Sequence, residues 1–65
     1  MTVEELVSFG RFPYSRGRLR AEDWEKIRET LDYLELTNLK DRYIDSLSGG
    51  QLQRVFIAMV LAQDT

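Results

Sequence analysis

Ser48, Gly49, Gly50 and Gln51 carry the most readily named chemistry in this 65-residue chain. Ser48 is a good helix N-cap, and Gln51, three positions on, completes a Ser-x-x-Gln capping box that fixes where a helix begins. Two glycines in the first turn of that helix are poor helix formers, each roughly 1 kcal/mol worse than alanine, so their presence asks for a reason other than propensity. A helix start has unpaired N–H groups and the positive end of the macrodipole. Residues without side chains let an anion approach those donors closely. The ligand favoured is a phosphate. For Ser-Gly-Gly alone, the plainer reading is a flexible turn that precedes a helix.

The elements around this motif follow from hydrophobic spacing. Thr2 and Glu5 form a second capping box, and Val3, Leu6 and Val7 recur at helical spacing, which predicts a first helix over residues 3 to 9 stopped by Gly10. Residues 11 to 20 hold the chain's one proline and Arg11, Arg16, Arg18 and Arg20 with no acid. Pro13 biases Phe12 toward an extended conformation and Gly17 marks a turn, so this stretch reads as a loop. Its arginines form either a phosphate or partner surface, or a solvated basic loop that balances an acidic neighbour.

From Ala21 to Glu35, Trp24, Ile27, Leu31 and Leu34 fall on one helical face, while Glu22, Asp23, Glu25, Glu29 and Asp32 lie mostly on the other, as in an amphipathic helix. Trp24 and Tyr33 read as core aromatics rather than ligand-stacking ones. Thr37 or Asn38 can cap a single turn through Leu39 and Lys40, with Leu36 and Leu39 as its anchors, and residues 41 to 45 connect to Ser48. The last helix, about Gly49 to Ala62, is apolar nearly all round from Val55 onward, which is the character of a helix buried in a larger protein.

Length and composition bound the function classes. A chain of this size buries only about 60% of the surface its unfolded form exposes, so one small domain of marginal stability is expected. The absence of cysteine and histidine removes the usual zinc, haem and thiol chemistries, and no metal site is expected. A net charge of −2 gives no basic field for nucleic acid. No run approaches the ~18 apolar residues of a membrane span, and the start Met1-Thr-Val-Glu-Glu lacks the basic and apolar regions of a signal peptide. A cytoplasmic segment with no direct membrane insertion is the expectation.

Leu47 to Arg54, read as Leu-Ser-Gly-Gly-Gln-Leu-Gln-Arg, resembles the signature motif of ATP-binding cassette (ABC) ATPases at every position. The likeness extends through Val7 to Tyr14, Leu36-x-x-Leu39-x-Asp41-Arg42 and Ile57-Ala58-x-x-Leu61-Ala62-Gln63-Asp64. Over residues 1 to 65 the chain resembles the helical subdomain of an ABC transporter ATPase. This implies an all-α unit of three to four helices belonging to a larger α/β P-loop ATPase. Gly10-Arg11-x-Pro13-Tyr14 is similar to the branch that imports iron(III)-siderophore, haem or cobalamin.

By that resemblance, two ATPase subunits clasp ATP with Mg2+ head to tail, and each signature motif touches the nucleotide held by the opposite subunit. Ser48 would offer its hydroxyl to the γ-phosphate, Gly49 and Gly50 their N–H groups, and Gln51 a side-chain contact toward the ribose. Arg54 would brace the loop. Phe9, Arg11 and Tyr14 would face the permease, placing the protein peripherally at the inner face of the cell membrane. These residues hold no Gly-x-x-x-x-Gly-Lys-Ser/Thr cradle, no strand ending in a metal-binding Asp and catalytic Glu, and no histidine switch, so no catalytic residue is assigned and the chain alone should be inactive. Two other readings stand beside this one: the signature segment of a non-transport ABC ATPase acting on DNA, and a standalone helical interaction module whose Ser-Gly-Gly is only a cap.

Overall fold

The computed structural model describes residues 1–11 and 18–63. Among these, three α-helices carry the fold: α1 (Val3–Ser8), α2 (Ala21–Tyr33) and α3 (Gly49–Ala62). Short 3-10 turns at Phe9–Arg11, Thr37–Leu39 and Ile44–Ser46 link them. The described residues are all-α, as the sequence implies; their one β-type contact is an isolated bridge between Thr2 and Tyr43.

Each helix starts where its sequence dictates. The Thr2 hydroxyl accepts from the Glu5 amide at 3.2 Å, while Glu5 Oε1 accepts from the Thr2 amide at 2.7 Å, and the capping box of α1 is complete. The next two amides of α1 are satisfied from outside the helix: Val3 donates to the Arg42 carbonyl at 2.9 Å and Glu4 to that of Lys40 at 3.0 Å. With Ile44 donating to Met1 at 3.0 Å, these bonds dock the start of α1 on the connector that leads to Ser48. Nothing in the local sequence signals this pairing.

The core consists of Val3 and Val7 from α1, Ile27 and Leu31 from α2, Leu36, and Val55, Ala58 and Ala62 from α3. Leu6, Leu19, Trp24, Leu34, Leu39, Ile44 and Leu47 cover it as half-buried neighbours. Two buried hydroxyls are paired within their own helices, Ser8 to the Glu5 carbonyl at 2.6 Å and Thr30 to the Lys26 carbonyl at 2.8 Å. The outer side of α3 is left uncovered, with Phe56, Ile57, Val60 and Leu61 exposed. This is the surface expected of a helix whose second half is apolar on every side.

Several expectations are corrected. Gly10 does not stop the first helix at a turn; α1 ends at Ser8 and the chain tightens through Gly10 into the 3-10 turn. The reason for glycine there is tertiary, since a Cβ at Gly10 would fall on the Met59 carbonyl oxygen and 3.2 Å from Ala62 Cβ. Tyr33 is not core but 78% exposed, because it lies off the stripe made by Ile27 and Leu31. Asp23 is not on the solvated face; it is buried, for reasons given below. The second helix ends at Tyr33, and no side chain caps the turn at Thr37–Leu39. Arg18 to Arg20 is irregular chain as expected, while the readings placed on Phe12, Pro13 and Gly17 lie outside the described residues.

Candidate functional site

The start of α3 is built by the half-buried anchors Ile44 and Leu47, which hold the preceding chain on the core while Ser48 emerges at the surface. Ser48 is extended, with φ −68° and ψ 165°, and its hydroxyl accepts from the Gln51 amide at 3.2 Å. Gln51 Oε1 accepts in turn from the Ser48 amide at 3.0 Å. The reciprocal box therefore uses one acceptor site of the Ser48 hydroxyl and leaves its hydrogen to donate. On Gln51 it leaves Nε2 for a ligand.

The amides of Gly49 and Gly50 have no partner among the described residues. Both glycines are exposed, and a Cβ built on either would meet nothing within 4 Å. Packing inside this chain thus gives no reason for them to be glycine, in contrast to Gly10. What the arrangement offers is two bare N–H donors, a hydroxyl and an amide group at the positive end of a 14-residue helix. Donors of this kind at a helix start favour an anion. Arg54 stands exposed one turn further along α3.

The second set of sequence candidates lies at the other end of α3. Phe9 is 44% exposed on the 3-10 turn. Arg11 is turned inward, its side chain 13% exposed, and donates from Nη1 to the Ala62 carbonyl at 3.0 Å. Its Nε and Nη2 both reach Asp23 Oδ1, each at 3.1 Å. Asp23 Oδ2 accepts from the Arg20 amide at 2.9 Å, so the carboxylate also caps the start of α2. The Arg20 amide, aided by the Arg11 guanidinium, holds the Asp23 carboxyl below its ordinary value against the opposing effect of burial. Tyr14 lies outside the described residues. The structure thus separates Ser48–Gln51 from Phe9 and Arg11 by the length of α3.

Asp23 is the residue that sequence reasoning passed over. The signal available was the charge imbalance of four arginines without an acid across residues 11 to 20, followed at once by Glu22 and Asp23. Helical spacing alone assigned Asp23 to the solvated face.

The family model described as ABC transporter matches residues 1–65. The petrobactin import ATP-binding protein YclP of Bacillus subtilis (strain 168) is 62% identical over 65 residues, covering 100% of this chain and 26% of the relative. The ferric enterobactin transport ATP-binding protein FepC of Escherichia coli (strain K12) is 48% identical over 67 residues, covering 100% of this chain and 25% of the relative. A solved structure described as an inward-facing metal-chelate type ABC transporter superposes with a TM-score of 0.91 at 35% identity, over 98% of this chain and 26% of that one. The chain therefore spans about a quarter of the length of the relatives it matches.

Proposed function

Because the chain belongs to the ABC transporter family, we propose that residues 1–65 are the helical subdomain of the ATP-binding subunit of an importer, acting on the nucleotide held by a second, head-to-tail subunit. The observation that carries this is the start of α3, where Gly49 and Gly50 are exposed, without neighbours and with unpartnered amides. Ser48 donates its hydroxyl hydrogen to the γ-phosphate, the two glycine amides donate alongside it, and Gln51 Nε2 reaches toward the ribose. These donors stabilise negative charge and position the phosphate; they neither take nor give a proton in the reaction. Mg2+ bound with the ATP supplies further charge neutralisation, and no residue of this chain is assigned to hold it. Hydrolysis belongs to the parts of the subunit that carry the phosphate loop and the catalytic carboxylate.

The transported cargo we assign is an iron chelate of the siderophore type. Support comes from relatives named for petrobactin and ferric enterobactin, and from the structural neighbour described as metal-chelate type. Phe9 and Tyr14 are the residues we assign to the permease contact, and Arg11 acts by holding the turn that carries Phe9. The subunit sits at the cytoplasmic face of the membrane through that permease. No helix among the described residues is long and apolar enough to cross a bilayer.

Cysteine cross-linking in the full-length subunit tests the trans arrangement. Ser48→Cys combined with a cysteine in the phosphate-binding loop should give an oxidative cross-link between subunits that grows with MgATP. A cross-link formed only within one subunit, or one indifferent to nucleotide, would contradict the reading.

A further inference from the structure

The contacts that seat α3 on the core come from Val55, Ala58 and Ala62, two of them alanines. Small residues at two of these three positions give shallow interdigitation, so a hydrogen bond to the helix adds to what fixes its position along its own axis. A side-chain hydrogen bond from another element to α3 itself lies at its C-terminal end, while the connector before Ser48 is tied to the start of α1 by backbone bonds. At that C-terminal end Gly10 lets the backbone approach Met59 and Ala62, and the next residue, Arg11, bonds the Ala62 carbonyl at 3.0 Å. That guanidinium is itself fixed by two contacts of 3.1 Å to Asp23 Oδ1. The carboxylate is tied to the first turn of α2 by the Arg20 amide at 2.9 Å.

One ion pair thus joins the turn that follows α1 to both α2 and α3. Its cation stands at the negative end of α3 and its anion at the positive end of α2, so both helix dipoles favour the placement. Buried ion pairs are not in general more stabilising than apolar residues of the same volume; what distinguishes them is fixed geometry. Arginine suits the task, because its planar fork can bond a carboxylate and a carbonyl at the same time. At about 1.5 Å rise per residue, the other end of α3 lies about 20 Å away, and it is the end that presents Ser48 to Gln51.

We propose that Arg11 and Asp23 are positioning residues for the nucleotide-facing end of α3, their ion pair setting where the helix lies along its axis and hence where Ser48 to Gln51 meet the phosphate. This rests on the trans-acting reading of Ser48 to Gln51 given above. It also assigns Arg11 a role other than touching the permease.

The test uses the full-length subunit assembled with its permease, carrying Arg11→Gln, Asp23→Asn or both. MgATP affinity of the unassembled subunit should be unchanged. The kcat of ATP turnover in the assembly should fall between about tenfold and a hundredfold with KM unaltered, as expected for sub-ångström to ångström misplacement of a reacting group. The double variant should be no worse than the worse single one, because both remove the same junction. Variants that melt earlier but turn over at the unmodified kcat well below their melting temperature would overturn the proposal, leaving the pair a fold-holding contact. If Arg11→Gln does not fold, Arg11→Lys serves: it keeps the charge but cannot bond Asp23 and Ala62 together, and a normal kcat in it counts against the proposal equally. Gly50→Asp in the same assembly separates the two ideas. Normal turnover in Gly50→Asp defeats the trans-acting reading and this inference with it, whereas an inactive Gly50→Asp beside a fully active Arg11→Gln defeats this inference alone.

Discussion

The Leu36 amide donates to the Leu31 carbonyl at 2.7 Å across the end of α2, and it reaches that oxygen because the intervening Glu35 adopts φ 58°. Glu35 donates in turn to the Asp32 carbonyl at 3.1 Å, which completes a Schellman motif with Leu36 buried beneath it. The left-handed position normally belongs to glycine, and a side chain there carries roughly 1–2 kcal/mol of strain. Glu35 is exposed, so its side chain gives back no burial. Glu35→Gly should therefore stabilise the fold by about 0.5–1 kcal/mol after the added flexibility of the unfolded chain is deducted. A rise in urea midpoint with an unchanged m-value is the expected readout.

How far such features were legible depends on whether the governing interaction was local. The Ser48 and Thr2 caps and the span of α3 are short-range facts, written in residues three positions apart, and they appear in the structure as read. Gly10 looked like a helix stop because glycine usually is one, but its cause lies about 50 residues downstream in the backbone at Met59. Asp23 looked solvated because a helical wheel cannot know that Arg11 waits across the fold. The end of α2 carries no glycine to announce it, so hydrophobic spacing runs on to Glu35 although the helix ends at Tyr33. At the candidate site, the Ser48–Gln51 capping box is legible in the sequence, and the exposure of Ser48, Gly49 and Gly50 is not.

The glycines at positions 10 and 50 should respond oppositely to alanine. Gly10→Ala drives a methyl group into the Met59 carbonyl, a backbone atom held within α3, and should destabilise the fold by about 1–3 kcal/mol. At Gly50 an alanine meets open space and gains helix propensity, which should stabilise the fold by up to about 1 kcal/mol. Denaturant melts of the two variants, compared with the unsubstituted chain, check both signs. If Gly50 serves an incoming phosphate, the stabilising substitution should nonetheless lower turnover in the full-length parent.

Acid should weaken the fold through two carboxyls. The Thr2 amide and hydroxyl hold Glu5 below its ordinary value of 4.5, and the Arg20 amide with Arg11 does the same to Asp23, whose ordinary value is 3.8. A carboxyl depressed in the folded state binds its proton more readily when unfolded. Its contribution is therefore complete above the ordinary value and is lost as pH falls through the lower folded one. Melting temperature should be flat from neutral pH down to about 5 and then decline below about 4. Asp23→Asn should lower the neutral plateau and flatten part of that acid limb; an acid limb unchanged in Asp23→Asn would show that the Asp23 carboxylate, held by the Arg20 amide and Arg11, does not govern it.

The sharpest expectation concerns Gly50→Asp in the full-length parent. A carboxylate in the first turn of α3 suits the helix dipole, and the space around Gly50 is open, so folding should survive. The nucleotide site should not. A negative charge would stand within a few ångströms of the γ-phosphate, and like charges at ~4 Å cost on the order of 4 kcal/mol at an effective dielectric near 20. On the proposed trans-acting reading, that penalty would fall on closure of two subunits around ATP and leave binding to a subunit's own phosphate loop untouched. Nucleotide affinity of the separated subunit should stay normal while turnover of the assembled transporter drops about a thousandfold, the factor that energy implies. Loss of affinity and turnover together in a folded variant would mean that the motif acts within its own subunit. Unchanged turnover would reduce Ser48 and its glycines to a helix cap.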